Sequence, residues 1–216
     1  MCIRDSHWTD QEVILAPDEN DTARAEFYYM RPFHYCGRYA ALLMKYYADP
    51  AKPDKHSALT ETELIVSNDG RQWRRPFRQT NLGFWTMAEP FEDHNRNLCF
   101  PAHEGGGMVL YKYLHMRLSG VTAKEEGSLV TPVIELTEGD LVMDADARNG
   151  SIEVELLNED GSAASGFYPT TYENVFEESI VLSWENFEAA DVPMTNCRLR
   201  ITLNNATLYS IRYFGQ

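Results

Sequence analysis

The chain has 216 residues, with 19 Lys and Arg against 33 Asp and Glu, a formal net charge of −14, and 44% hydrophobic and 12% aromatic content. That is enough apolar chain to bury a core without staples, and it excludes a disordered polymer. The acidity and the lack of any basic run longer than a pair disfavour nucleic acid and anionic membranes as partners, since both present phosphates that must be neutralised, and no apolar run approaches the ~18 residues of a membrane helix.

In chain order, Met1 to Ser6 has neither an apolar signal core nor a cleavage site. It reads as a non-native leader joined to a truncated gene, so the natural start is expected upstream and the compartment is not readable from it. Asp18, Asp21 and Glu26 form an acidic group before the first strand, a pattern compatible with paired-carboxylate chemistry or with a solvated loop. Phe27 to Met30 with Pro32 to Tyr35 reads as a strand, Cys36-Gly37-Arg38 as a turn, and Tyr39 to Tyr47 as the next strand. Pro53 marks a polar loop, and Glu61 to Ser67 is a strand with Leu64 and Val66 on one face. Asn68-Asp69-Gly70-Arg71 predicts a tight turn in which Gly70 takes positive φ, with Trp73 on the return strand.

Gln79 to Gly107 reads as irregular, and a loop that long is usually functional or a mis-assigned element. It holds Trp85, Glu92-Asp93-His94 and His103-Glu104. An aromatic face beside carboxylates and imidazoles suits a sugar, so Trp85, Asp93, His94, His103 and Glu104 are candidate substrate-binding residues. Met108 to Leu118 predicts an alternating strand.

After a boundary at Ser119-Gly120, the expected strands are Leu129 to Leu136, Asp140 to Asp146, Ser151 to Leu157, Ser179 to Trp184 and Arg198 to Leu203. Glu138-Gly139 and Glu159 to Ser162 are expected turns, and Asn204-Asn205-Ala206 is expected to turn the chain into Thr207 to Phe214. Short strands with turn chemistry between them indicate an all-β chain, with a separate β-unit over 7–120 and an antiparallel β-sandwich over 121–216.

The four cysteines are far apart, with no ligand-like spacing. A zinc site is not expected, and Cys36, Cys99 and Cys197 read as small buried side chains. Gly105-Gly106-Gly107 lacks the Lys and following helix of a phosphate loop. No metal and no cofactor is called for.

The turn Ser67-Asn68-Asp69-Gly70-Arg71-Gln72-Trp73 resembles the Asp-box of sialidase-like propellers, one residue shorter between Asp and Trp. The succession Leu129-Val130-Thr131-Pro132, Leu141 to Ala147, Ile152 to Gly161, Val181 to Trp184, Arg198 to Ile201 and Ala206 to Ser210 resembles the C-terminal β-sandwich of bacterial proteins related to glycoside hydrolase families 32 and 43. The resemblance spans Trp8 to Phe214. It implies the last blades of a five-bladed propeller docked to a supporting sandwich, in a secreted or periplasmic parent that cleaves glycosidic bonds with two carboxylates. Those carboxylates would lie upstream, so this part is expected to be inactive or to act as a carbohydrate-binding or structural module.

Overall fold

A computed structural model describes residues 10–49, 51, 58–86, 88–136, 140–184, 187–188 and 196–214. The leader, Trp8, Pro53 and the Glu138-Gly139 turn lie outside them. Every described element is a strand and every recorded pairing is antiparallel, so the all-β reading holds. The chain divides into two compact units, Met1–Asp93 with Cys99–Lys112, and His94–Leu98 with Tyr113–Gln216.

The first unit opens with a four-stranded meander of β1 (Ala25–Tyr35), β2 (Arg38–Tyr47), β3 (Leu59–Ser67) and β4 (Trp73–Arg74). Cys36 (φ 53°) and Gly37 (φ 71°) close the first hairpin. Cys36 is exposed there, not buried as expected, because a tight turn has no interior. In β2 and β3, Ala41, Leu43 and Ile65 share one buried face with Phe27, Met30 and Trp73.

A second, three-stranded sheet holds β5 (Phe91–Glu92), β6 (Leu98–Glu104) and β7 (Gly107–Tyr113). The segment expected to be irregular thus contains a core strand. Leu98, Cys99, Phe100 and Ala102 are all buried, so β6 shows no alternation, and Pro101 breaks up its apolar run. Phe100 meets Phe33 edge-on at 5.5 Å and Phe84 at 5.7 Å, while Phe84 stacks on Tyr111 at 4.0 Å. β7 stops at Tyr113 instead of continuing to Leu118, because Leu114 to Arg117 is a turn with Met116 at φ 61°.

The second unit is built on β16 (Asn196–Phe214), one 19-residue strand. On one edge it pairs with β8 (Val121–Val130). On the other it pairs with β10 (Asp140–Asp146) along its C-terminal half and β11 (Ser151–Leu157) along its N-terminal half. Outside those, β12 (Thr170–Glu173) pairs with β11 and β13 (Phe176–Val181) with β10. β9 (Ile134–Glu135) pairs with the start of β16, and β14 (Ser183–Trp184) with β15 (Phe187–Glu188). The strand expected at Leu129 to Leu136 is therefore two elements, split by the Thr131–Val133 break at Pro132, and Ser179 to Trp184 is broken at Leu182, whose N–H donates to the Leu141 carbonyl at 2.8 Å.

All the long ladders are interrupted on one transverse line. Lys124 and Glu125 stand opposite Asn205, Ala147 to Gly150 opposite Asn205 and Ala206, and Asn174 and Val175 separate β12 from β13. Bulges sharpen twist and let strands turn corners, so the sheet curls along this line. Asn149, Asn174 and Asn205 all take positive φ there, and Asn is the non-glycine residue that tolerates it best. The expected turn at Asn204 to Ala206 is this bulge: Leu199, Ile201 and Leu203 face the core, then Ala206 and Leu208 do, because one inserted residue flips the alternation. Gly150 sits at the crossing, where a Cβ would lie 2.3 Å from the carbonyl oxygens of Asn204 and Asn205. Gly150→Ala is expected to cost about 1–3 kcal/mol by overpacking a backbone that cannot retreat. The urea midpoint reads it, and an unchanged midpoint would mean the corner yields freely.

Beneath the curl, Leu141, Met143, Ile152, Val154, Leu156, Leu182, Trp184, Leu199 and Ile201 are almost fully buried in one cluster. On the opposite face of β10, Asp144 is fully buried and paired with Arg117.

Candidate functional site

In the first unit, the face that is apolar at Ala41, Leu43 and Ile65 becomes charged one pair further along. The register sets Leu43 against Glu63 and Lys45 against Glu61. Glu63 is completely buried and Lys45 nearly so. Arg75, 3% exposed, answers them from the segment after β4. Its Nε and Nη2 donate to Glu63 at 3.0 and 2.6 Å, and its Nη1 and Nη2 donate to Asp21 at 2.5 and 2.8 Å. Both pairs are bidentate, the geometry in which guanidinium and carboxylate bind most strongly. The guanidinium also lies 4.7 Å over the Phe27 ring. Lys45 Nζ bridges Glu61 at 3.1 Å and Glu63 at 3.5 Å. Arg78 pairs with Asp18 and reaches Asp21 at 3.5 Å. The Tyr47 hydroxyl donates to Glu61 at 2.6 Å.

The charge states follow. The Arg75 hydrogen bond holds the Asp21 carboxyl down at about 2, outweighing burial. The Tyr47 hydrogen bond, with Lys45, holds Glu61 below the usual carboxylate range. Burial works against the Lys45 ammonium, but Glu61, Tyr47 and Glu63 outweigh it and raise its pKa. Asp21 and Glu61 are therefore fixed acceptors near neutral pH, and neither is poised to give up a proton as a general acid does.

Two clefts open on either side of Tyr47 and Glu61. One, about 200 Å³, is polar, with Asn20, Arg78, Gln79 and Asn81 on its walls. The other, about 660 Å³, is more apolar, with Ala23, Ala48, Ala58 and Leu59 beside Arg24 and Asp49. Thr22, Tyr47 and Glu61 line both, so the clefts adjoin at Tyr47 as one Tyr47 groove. Asn81 is itself held, its Oδ1 accepting from the N–H groups of Thr62 at 3.0 Å and Gly83 at 2.9 Å.

None of the substrate-binding candidates singled out in the sequence lines this groove. Trp85 is 38% exposed on the loop before β5. Asp93 pairs with Lys112 at 2.6 Å, and Glu104 accepts from the Tyr111 hydroxyl at 2.8 Å. Tyr111 and Lys112 are consecutive on β7 and point to opposite faces, so the two carboxylates are not drawn to one face through them. His103 is exposed beside Glu104 at the end of β6, and His94 is exposed in the second unit. Of the acidic group before β1, Asp18 and Asp21 join the charged network, while Glu26 is exposed on β1. Lys45, Tyr47, Glu61, Arg75 and Asn81 were missed. Lys45 in an otherwise apolar strand, facing the alternating acids of Glu61 and Glu63, was the available signal.

The turn resembling an Asp-box is built as its residues suggest. Asp69 Oδ1 accepts from the N–H groups of Arg71 and Gln72, both at 2.8 Å, and Ser67 Oγ accepts from Gly70 N–H at 2.9 Å. Gly70 takes φ 74°, and Trp73 Nε1 donates to the Gly70 carbonyl at 3.1 Å. The Ser67, Asp69 and Trp73 side chains all bond within the turn, which makes it a structural clasp between β3 and β4. Among the described residues no group of His, Cys, Asp and Glu could hold a metal ion. No family model, curated protein or solved structure matches the chain.

Proposed function

We propose that the chain is the sugar-holding C-terminal part of a carbohydrate-active protein, binding a neutral oligosaccharide along the Tyr47 groove without cleaving it. In this reading the β1–β4 meander, clasped at Ser67 to Trp73, is a propeller blade, and the curled sheet of the second unit is the supporting sandwich. The observation that carries it is the groove itself. A hydroxyl-rich ligand needs rigid donors and acceptors around an apolar face. Glu61, Asn81 and Arg78 supply the polar groups, each held by a hydrogen bond or ion pair, and the Tyr47 ring supplies the face. A glycosidase needs one protonated carboxyl beside an ionised one, whereas Asp21 and Glu61 are both held ionised.

Calorimetric titration of the full chain with xylo-, arabino- and fructo-oligosaccharides tests this. Binding of at least one series, weakened about tenfold in Tyr47→Ala, with no reducing ends released, is expected. Turnover abolished by Asp93→Asn or Glu104→Gln would overturn the reading. A chain that binds none of the series would be a purely structural module.

A further inference from the structure

The curl of the second unit does more than shape a core. Where the ladders are interrupted, a recess of about 380 Å³ opens, with Thr122, Lys124, Asp146, Arg148, Asn205 and Thr207 among its lining residues. Thr122 and Thr207 alternate with the core-facing Ala123 and Ala206, so their hydroxyls point away from the core. The two oxygens are 2.9 Å apart and share a single hydrogen bond, which leaves one hydroxyl proton and several lone pairs unused. Asn205 Nδ2 donates to the Asn149 carbonyl at 3.0 Å, which fixes its carboxamide and leaves the second N–H and the oxygen available.

Arg148 donates to Asp146 through Nε at 3.0 Å and Nη2 at 2.7 Å, and it lies 4.1 Å over the Phe176 ring. The guanidinium is thereby held in one orientation, and its Nη1 donates to no described residue. Lys124, on the bulge opposite Asn205, makes no ion pair among the described residues. Asp146 balances Arg148, so the recess carries one uncompensated positive charge. A neutral sugar would offer the Lys124 ammonium and the Arg148 Nη1 only uncharged hydroxyl acceptors, which leave the positive charge unbalanced. A carboxylate between them would satisfy both through charge-assisted hydrogen bonds.

We propose that this recess binds an acidic sugar, a uronic acid unit. The carboxylate lies between Lys124 Nζ and Arg148 Nη1, and ring hydroxyls meet Thr122, Thr207 and Asn205. The site is separate from the Tyr47 groove, and the two stand or fall independently.

The test uses the full chain and three probes: trigalacturonate, xylotriose and acetate, followed by calorimetry and by the side-chain amide signals of Asn149 and Asn205. Trigalacturonate is expected to bind saturably and shift both amides, with xylotriose about tenfold weaker and acetate not saturating. Binding should weaken with added salt. Lys124→Ala and Arg148→Gln should each weaken it about fivefold or more, with the melting temperature of Lys124→Ala unchanged. Tyr47→Ala should bind trigalacturonate as the parent does. Absence of saturable trigalacturonate binding would overturn the proposal, as would equal affinity for xylotriose, saturation by acetate alone, or full binding in the Lys124→Ala, Arg148→Gln double variant.

Discussion

Arg75→Ala is expected to destabilise the first unit by about 3–5 kcal/mol, the cost of leaving buried charge without its partner. Two carboxylates lose it at once: Glu63, wholly buried, and Asp21, 7% exposed. Lys45, 3.5 Å from Glu63, can answer only part of the loss. Hydrogen exchange in β2 and β3 reads this locally. An Arg75→Met, Asp21→Asn, Glu63→Gln triple variant separates the loss of charge pairing from the loss of volume, and it should recover much of the stability. If Arg75→Ala unfolds at the parent's urea midpoint, Arg75 is not the keystone of this face. The same network sets an acid limit. Asp21 ordinarily titrates at 3.8 and here at about 2, so its contribution is complete above about pH 4 and fades as pH falls toward 2. Removing Arg75 should raise that limit, so the variant unfolds at a higher pH on acid titration than the parent.

What the sequence made legible was whatever obeyed a short period. β11 shows Ile152, Val154 and Leu156 buried against exposed Glu153, and its bounds were readable to the residue. The Ser67 to Trp73 turn was readable because its bonds are local and its residue types serve no other geometry so well. The errors occur where a long-range partner overrides the period. β8 carries Lys124, Glu125 and Glu126 and the expected strand began only at Leu129, yet β16 pairs with it from Val121 to Val130 across one bulge. β16 reads as two strands because the bulge at Asn205 reverses its alternation. The shared line of interruptions across the sheet exists only once the strands are side by side. The groove was not legible for a related reason. The candidates from Trp85 to Glu104 are neighbours in sequence, while the groove is assembled from β2, β3 and distant segments, with Asn20 and Asn81 on one wall.

In the second unit, Arg117→Ala is the change expected to do most harm. Arg117 Nε and Nη2 both reach Asp144 Oδ1, at 2.9 and 2.8 Å, and the guanidinium lies 4.3 Å over the Phe176 ring and 4.8 Å over the Tyr209 ring. Asp144 has no exposed surface. Truncation therefore strands a buried carboxylate and empties a slot between two aromatic rings, for a combined cost of about 3–5 kcal/mol. Lys in place of Arg should recover little, because an ammonium has neither the plane that stacks nor the Nε that donates. The discriminating variant is Arg117→Met with Asp144→Leu. Replacing both charges by apolar side chains of similar size leaves nothing unpaired, and such swaps are commonly neutral or stabilising. Hydrogen exchange of the β10 and β16 amides should therefore quicken sharply in Arg117→Ala and return toward the parent's rate in the double variant. A double variant as unstable as the single one would show that the pair contributes attraction beyond mutual neutralisation. The strand pairing of β10 with β16, and the curl built on it, would then depend on the charges themselves.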